Sequence, residues 1–428
     1  MLSVLSHPTY RRLFLAQAVA LIGTGLLTVA LGLLAFDLAG SNAGAVMGTA
    51  LLIKMLAYVG LAPVINALVA RLPKKPVLIG ADLVRAAMAL CLPFITEAWQ
   101  IYVVIFLLQS ASAAFTPAFQ SLIPTVLRDE RDYTRALSLS RLAYDMEALA
   151  SPAAAALLLT VLSYNNLFLG TVAGFLFSAL MVTITVLPRT AVVNGPAMSV
   201  WHRTTLGARL FWADRHLRSL LALNLVVSAP TALVLVNTVV YVRDVLHRPD
   251  TDLAVALACF GIGSMAVALS APRLLERAGD RAVMLTGAAI IPAALAGATL
   301  AIFRAPPEAG WWGLLALWFL LGAGSSTILT PSSRLLREAS TEETRPYVFT
   351  AQFSLSHACY IIAYPLAGWV GAAAGLGWAA LALTILAILG SAGAFLSWPR
   401  HSIPGRGRPE TEEQPVEQSA EQRTSGAR

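Results

Sequence analysis

The sequence predicts an all-α membrane protein with twelve transmembrane helices in two pseudo-symmetric six-helix halves. Three observations predict this class: a composition poor in charge, apolar runs long enough to cross a bilayer, and short motifs that recur in the same order in both halves. Helices are expected because lipid offers no hydrogen-bond partner to a free backbone N–H or C=O group.

The composition excludes a soluble globular protein. Of the 428 residues 57% are hydrophobic and 12% are charged, and the mean hydropathy is +0.71. Soluble proteins average about 25% charged residues, so much of this surface must face lipid. The three cysteines lie in apolar runs and indicate no disulfide framework. The net charge of +7 is attributed to loop arginines at a membrane, and no nucleic-acid partner is expected.

Twelve segments reach the length of about 20 mainly apolar residues that a spanning helix needs. They are 13–36, 44–69, 76–96, 101–124, 137–162, 166–187, 218–241, 252–272, 282–303, 311–333, 347–370 and 375–397. The segments divide into a first half (1–187), a basic linker (188–217) and a second half (218–398), followed by a hydrophilic tail (399–428) that we expect to be disordered.

The positive charges predict the orientation. With the N-terminus placed in the cytoplasm, inside segments hold 25 of the 30 Lys and Arg residues and outside loops hold three. Loops on the cytoplasmic side carry the excess of Lys and Arg in membrane proteins. We therefore expect a multi-pass protein of the cell inner membrane with both termini in the cytoplasm.

Short motifs recur six spans apart. In each half a Thr-Pro pair in the fourth span is followed by a Thr-Arg pair in the next loop, a Ser-Leu-Ser run in the fifth span and a later proline. The copies are Thr116-Pro117, Thr134-Arg135, Ser138–Arg141 and Pro152 in the first half, and Thr330-Pro331, Thr344-Arg345, Ser354–His357 and Pro365 in the second. Two homologous halves are the architecture of transporters whose substrate site lies at the midplane between parallel repeats.

At this point the sequence resembles the major facilitator superfamily, across roughly residues 8–398. The loop Asn66–Lys75 stands where that family has a glycine-aspartate-arginine gating signature, and Arg71, Lys74 and Lys75 match its basic residues. Asn66 and Ala70 replace the family's Gly and Asp, so the charge relay attributed to that Asp is not expected here. Ser151-Pro152 is similar to the Gly-Pro motif of the family's exporters, where Pro152, like Pro365, permits a helix bend.

Two stretches, Arg135–Asp145 and Gln352–His357, resemble the branch that contains bacterial nickel-resistance exporters. Members of that branch often end in a histidine-rich tail, whereas this chain has only His401 after its last span. The resemblance implies export more strongly than it implies nickel.

Ionisable residues at bilayer depth are costly, and each is therefore a functional candidate. Lys54, Asp145, Glu147 and His357 are the candidates for proton coupling and for the substrate cavity. Asp145 and Glu147 are two residues apart and point to different helix faces, and we favour Asp145 for the cavity because Arg141 lies one turn away on its face. Burial and a nearby cation act in opposite directions on a carboxylate, so a movement that changes the balance can capture or release a proton.

Each candidate also has a structural interpretation. Lys54 could form a permanent ion pair with Asp145 or Glu147, and His357 could be a neutral imidazole bonded to Ser354 or to a neighbouring helix. Asp82 and Arg85 lie on one helix face and are interpreted as a neutralising pair that locks helices or a gate. Arg141 could extend to the lipid headgroups.

The predicted activity is proton-coupled export of a divalent metal cation such as nickel or cobalt by alternating access. His357 and Asp145 are the metal ligands considered, although the spacing matches no dedicated motif. The alternatives are efflux of a drug-like or siderophore-type small molecule and, in another class, a receptor or sensor without transport. An enzyme is not expected, because no nucleophile motif accompanies His357 and no nucleotide-binding motif occurs. We expect a monomer without a cofactor.

Overall fold

The computed structural model describes residues 2–61, 72–127, 129–187, 200–304, 307–341 and 344–398. Helices and turns make up these residues, and no strand occurs in them. The predicted all-α class is confirmed. Arg71 and the predicted tail, 399–428, fall outside the described residues.

In the described residues of the first half, six helices match the first six predicted spans. They are α1 (Pro8–Ala39), α2 (Ala43–Leu56), α3 (Lys74–Cys91), α4 (Ala98–Val126), α5 (Glu130–Leu158) and α6 (Asn165–Ile184). A π-helical turn, Ala57–Leu61, continues α2. The 32 residues of α1 extend well beyond the predicted span, because a helix need not end where its apolar run ends.

A helix of the predicted linker precedes the helices of the second half. α7 (Val200–Ala213) is followed by α8 (Arg215–Ala232), α9 (Asp250–Arg304), α10 (Pro307–Glu338), α11 (Arg345–Pro365) and α12 (Leu376–Ser397). α8 continues through two π-helical turns to Val245, and α11 continues through one, Leu366–Val370, to Ala374. α9 contains the eighth and ninth predicted spans, separated by Gly279 at φ 73°.

The turn between α1 and α2 defines one end of the bundle. Gly40 stands there at φ 53° and ψ −125°, a backbone conformation that a residue with a Cβ atom rarely adopts. We call this end the hairpin face and the opposite end, where α1 begins, the N-terminal face.

Nine stretches of the described residues are long and apolar enough to cross a membrane. The first, Pro8–Leu61, contains two predicted spans, so the nine stretches account for ten of the twelve. The fifth and eleventh predicted spans, in α5 and α11, are not among them. These two helices carry Glu147 and His357 and the repeated Ser-Leu-Ser runs.

In the described part of the chain, the halves are in contact where α2 packs on α11 and where α5 packs on α9, and α1 and α2 also touch the continuation of α8. Near the hairpin face α2 and α11 meet through glycine. A Cβ atom on Gly48 would lie 2.8 Å from the Tyr364 carbonyl oxygen and 3.0 Å from the Gly368 Cα. Nearby, the Trp369 indole Nε1 donates a hydrogen bond to Thr49 Oγ1 at 3.0 Å. The backbones of the two halves are therefore in direct contact at this face.

Charged groups add to the contact at the hairpin face. The Arg243 guanidinium pairs with Asp250 at 3.0 Å and lies 5.6 Å from the centroid of the Phe36 ring in the other half. Beside it the Tyr164 hydroxyl donates to Asp37 at 2.6 Å. Burial, this hydrogen bond, and the charges of Asp37 and Asp250 raise the pKa of Tyr164 well above its ordinary value. The phenol therefore stays protonated and keeps its bond to Asp37 at physiological pH.

Candidate functional site

The first half contributes an ammonium, a phenol and a carboxylate from two helices. Lys54 lies in the last turn of α2, and its Nζ is 5.9 Å from the centroid of the Tyr58 ring, one turn further along. The Lys54 ammonium and the Glu147 carboxylate of α5 interact electrostatically. Tyr58 belongs to the π-helical turn after α2, and such turns are frequent at functional sites.

Glu147 is held against α1. A Cβ atom on Gly25 would lie 3.6 Å from Glu147 Cγ, and it would overlap the Ser151 side chain. Ser151 in turn donates a hydrogen bond to the Ile22 carbonyl oxygen at 3.4 Å. The small residues at positions 25 and 151 let α1 and α5 approach closely, which places the carboxylate between α1 and α2.

The second half contributes an imidazole and a phenyl ring from α11. His357 Nδ1 lies 2.7 Å from the Phe353 carbonyl oxygen, and the two rings have centroids 4.2 Å apart. The His357 ring is 5.6 Å from the Tyr58 ring in an edge-to-face arrangement. Residues of both halves therefore meet at this point, so a relative movement of the halves must change the site.

We call Lys54, Tyr58, Glu147, Phe353 and His357 the central cluster. Of the four candidates for coupling, it contains Lys54, Glu147 and His357. The side chains of Asp145 and Arg141 fall outside the described residues, so our preference for Asp145 stays a prediction. His357 contacts the Phe353 carbonyl and, at 3.5 Å, the Ser356 hydroxyl.

Tyr58 and Phe353 were not singled out from the sequence. Each stands four residues from a predicted site residue, Tyr58 after Lys54 and Phe353 before His357. Residues at that spacing lie on one helix face. The spacing could have identified both aromatic residues.

Asp82 and Arg85 form an ion pair inside the first half. Both are buried, at 0% and 6% exposure, and the Arg85 guanidinium lies 4.2 Å from the Phe115 ring centroid and 4.6 Å from that of Phe175. These partners belong to α3, α4 and α6, all in one half. The arrangement fits a lock between helices.

The predicted gating loop is described only in part. Lys74 and Lys75 begin α3, and Lys75 Nζ donates a hydrogen bond to the Thr185 carbonyl oxygen at 2.9 Å, just after α6. Pro152 lies inside α5, and Pro365 is the last residue of α11 before its π-helical turn.

In each half, side-chain hydrogen bonds join the first helix to the fifth. In the first half Ser140 of α5 donates to Gln17 of α1 at 3.2 Å. In the second half the amides of Asn224 on α8 and Gln352 on α11 exchange two hydrogen bonds, at 3.1 and 3.2 Å. The fifth helix of each repeat is thus bonded to the first. Such a recurring contact is expected of two repeats with one ancestral packing.

The chain matches the sequence profile of the Major Facilitator Superfamily over residues 13–293 and 222–425. The chain belongs to the Major Facilitator Superfamily. It is a membrane transporter with the fold that its repeats and spans predicted. Its central cluster lies where the two halves meet.

Among characterised proteins, this superfamily member is similar to macrolide efflux protein A. The protein from Streptococcus pyogenes is 30% identical over 178 residues, 40% of this chain and 43% of the relative. The protein from Enterococcus faecalis is 29% identical over 153 residues, 33% of this chain and 47% of the relative. The matches thus span less than half the length of these relatives.

Solved transporter structures share the fold of this superfamily member. A mutant of the nucleoside transporter NupG has a TM-score of 0.69 at 14% identity, covering 91% of this chain and 100% of that one. A bacterial homologue of the human lysosomal transporter Spinster, inward-facing and unoccupied, has a TM-score of 0.68 at 12% identity, covering 91% and 96%. At these identities the likeness concerns the fold alone.

Metal ligands are sparse in the described part of the chain. It contains no group of three or more His, Cys, Asp or Glu side chains that could hold a metal ion. The Cys359 thiol donates to the Leu355 carbonyl oxygen at 3.4 Å. Within the central cluster, His357 and Glu147 are the side chains of a type that can ligate a metal ion.

Proposed function

We propose that the chain is a proton-coupled secondary exporter of amphipathic organic solutes, acting by alternating access in the cell inner membrane. The observation that carries the proposal is the central cluster, where Lys54, Tyr58 and Glu147 of one half meet Phe353 and His357 of the other. A solute bound there contacts both halves. Its binding and the movement of the halves are therefore coupled.

Proton coupling rests on the Lys54–Glu147 interaction. While Lys54 lies near it, the Glu147 carboxylate is stabilised in its charged form. When the halves move, or when a bound solute displaces the ammonium, Glu147 loses that support and takes up a proton. His357 is a second titratable group on the opposite half, and its ordinary range lies near neutral pH.

The substrate class follows from the lining. The Tyr58 and Phe353 rings, with centroids 6.4 Å apart, offer apolar faces. Aromatic faces with one carboxylate suit an organic cation with a large apolar body. The names of the macrolide efflux relatives support both this class and the outward direction.

The other candidates have less support. A nickel or cobalt ion would find His357 with its Nδ1 at the Phe353 carbonyl and Glu147 already facing Lys54. A siderophore-type anion would use Lys54 as its counter-charge. A receptor or sensor would need no proton-linked movement of solute, which the experiment below measures.

The test uses inside-out membrane vesicles with an imposed proton gradient. We expect accumulation of a macrolide or a cationic dye that stops when the gradient is collapsed, and no accumulation of Ni²⁺ or Co²⁺. Metal accumulation without the organic solutes would overturn the substrate class. Movement of none of them would favour the receptor alternative.

The coupling residue is tested in the same vesicles with Glu147→Gln. We expect proton-driven accumulation to fall to the level of vesicles without the protein, while solute exchange down its own gradient continues, because the amide cannot ionise. Glu276→Gln on the exposed surface of α9 is the matched control and should behave as wild type. Full proton-driven transport by Glu147→Gln would remove this residue from the coupling step.

A further inference from the structure

The linker helix α7 packs on the transport helix α11. A Cβ atom on Gly207 would lie 2.6 Å from the Tyr347 carbonyl oxygen and 2.9 Å from Ala351 Cβ, so the two backbones are in close contact. One turn later Phe211 is 1% exposed. Gly207 and Phe211, four residues apart, define the face of α7 that packs on the bundle.

A sharp corner follows α7. Asp214 has an extended backbone (φ −92°, ψ 130°), and its carboxylate accepts hydrogen bonds from the backbone N–H groups of His216 at 2.7 Å and Leu217 at 3.2 Å. This residue ends the linker helix and caps α8, which enters the bundle. α7 therefore changes direction at the N-terminal face instead of extending α8.

The opposite side of α7 is basic and aromatic. Trp212 is 64% exposed, and Arg209, one turn earlier, is exposed on the same side. Arg215, the first residue of α8, is exposed at the corner. Within the described part of the chain, neither arginine has an ion pair. An exposed indole between two cations is the composition of helices that lie in the headgroup region of a bilayer.

We propose that Arg209, Trp212 and Arg215 form a binding surface for the headgroups of anionic phospholipids. The guanidinium groups pair with lipid phosphates, and the indole enters the boundary between headgroups and acyl chains. Because α7 is packed on α11, this contact also restrains the helix that carries Phe353 and His357. The binding surface lies outside the central cluster, and its existence does not depend on the proposed substrate.

The test is hydrogen exchange of the full-length protein in lipid nanodiscs. Peptides from 200–213 should exchange more slowly in phosphatidylglycerol nanodiscs than in phosphatidylcholine nanodiscs. Each basic residue near an anionic surface is worth about fivefold in binding, so Arg209→Gln/Arg215→Gln should remove most of the difference. Trp212→Ala should reduce protection in both lipids, because it removes the apolar anchor.

The matched control is Arg273→Gln/Arg277→Gln, which removes two exposed arginines from α9 near its break at Gly279. It should leave the lipid-dependent protection of 200–213 unchanged. Equal exchange of wild-type peptides in the two lipids would overturn the proposal, and so would a difference that persists in Arg209→Gln/Arg215→Gln. Neither result depends on transport, so the outcome is independent of the proposed function.

Discussion

Asp82 and Arg85 illustrate what an ion pair needs at bilayer depth. The carboxylate and guanidinium are bonded to each other, and the rings of Phe115 and Phe175 cover the guanidinium on α4 and α6. A guanidinium is suited to this place because it is weakly hydrated and stacks on aromatic faces. The pair lies within one half, so it should not break when the halves move.

We therefore predict that Arg85→Met destabilises the protein. Transport per folded molecule should remain as in wild type. Removing one partner of a buried pair leaves the other charge uncompensated and costs about 3–5 kcal/mol. The midpoint of thermal unfolding in detergent measures this loss. Asp82→Asn/Arg85→Met should recover a large part of it, since the double variant buries no charge.

The contrasting result concerns gating. If Arg85→Met unfolds at the wild-type temperature but its transport per folded molecule falls, the pair acts in a gate and not as a lock. The next candidate for a lock between helices would then be the hydrogen bond from Lys75 to the Thr185 carbonyl oxygen. It also joins α3 to the end of α6.

The sequence could identify the buried charges and pair Asp82 with Arg85, but it could not choose the partner of Lys54. Lys54 was recognised because its depth in an apolar run is set by chain position alone. Whether it faces Asp145 or Glu147 depends on the rotation of α5 against α1 and α2. Gly25 and Ser151 contribute to that rotation by their close approach, and hydropathy does not record it.

The helices with the strongest apolar runs were predicted well from the sequence. α5 and α11 were also found from the length of their apolar runs, although each has a weaker apolar character. The π-helical turns after α2, within α8 and after α11 were not predicted. Each is a local change of helix register that depends on tertiary packing, and a single sequence carries no signal for it.

The contact between α2 and α11 predicts the effect of one methyl group. Gly368→Ala would place a Cβ atom against the Gly44 carbonyl, and backbone must shift to admit it. Overpacking costs about 1–3 kcal/mol, and here the cost falls only on the state in which the hairpin face is closed. We expect the population to move towards an open hairpin face.

Thr49→Cys reports this opening when it is made in a variant that lacks the three native cysteines. Its reaction with a membrane-impermeant maleimide, applied at the hairpin face, should be faster in Gly368→Ala than in the parent. Gly80→Ala in α3 is the control, since a Cβ atom there meets nothing within 4 Å. Equal labelling rates in the two variants would mean that this glycine contact does not hold the face closed.

The whole molecule combines a closed hairpin face with a central cluster shared by both halves. The hairpin face is held closed by glycine contacts between α2 and α11 and by the charged groups around Arg243. An exporter must open this face to release its solute. We therefore infer that these contacts break and re-form in each cycle, whereas the Asp82–Arg85 pair persists.

The orientation of the protein in the membrane follows from its whole charge distribution. The split of 25 Lys and Arg to three assigns the N-terminal face to the cytoplasm. In the cysteine-free background, Ser41→Cys on the hairpin face should react with an impermeant maleimide in intact spheroplasts. Thr341→Cys on the N-terminal face should react only in inside-out vesicles, and both positions are exposed. The reverse pattern would place the hairpin face in the cytoplasm. The closed contacts would then lie on the cytoplasmic side, and the proposed exporter would be an importer.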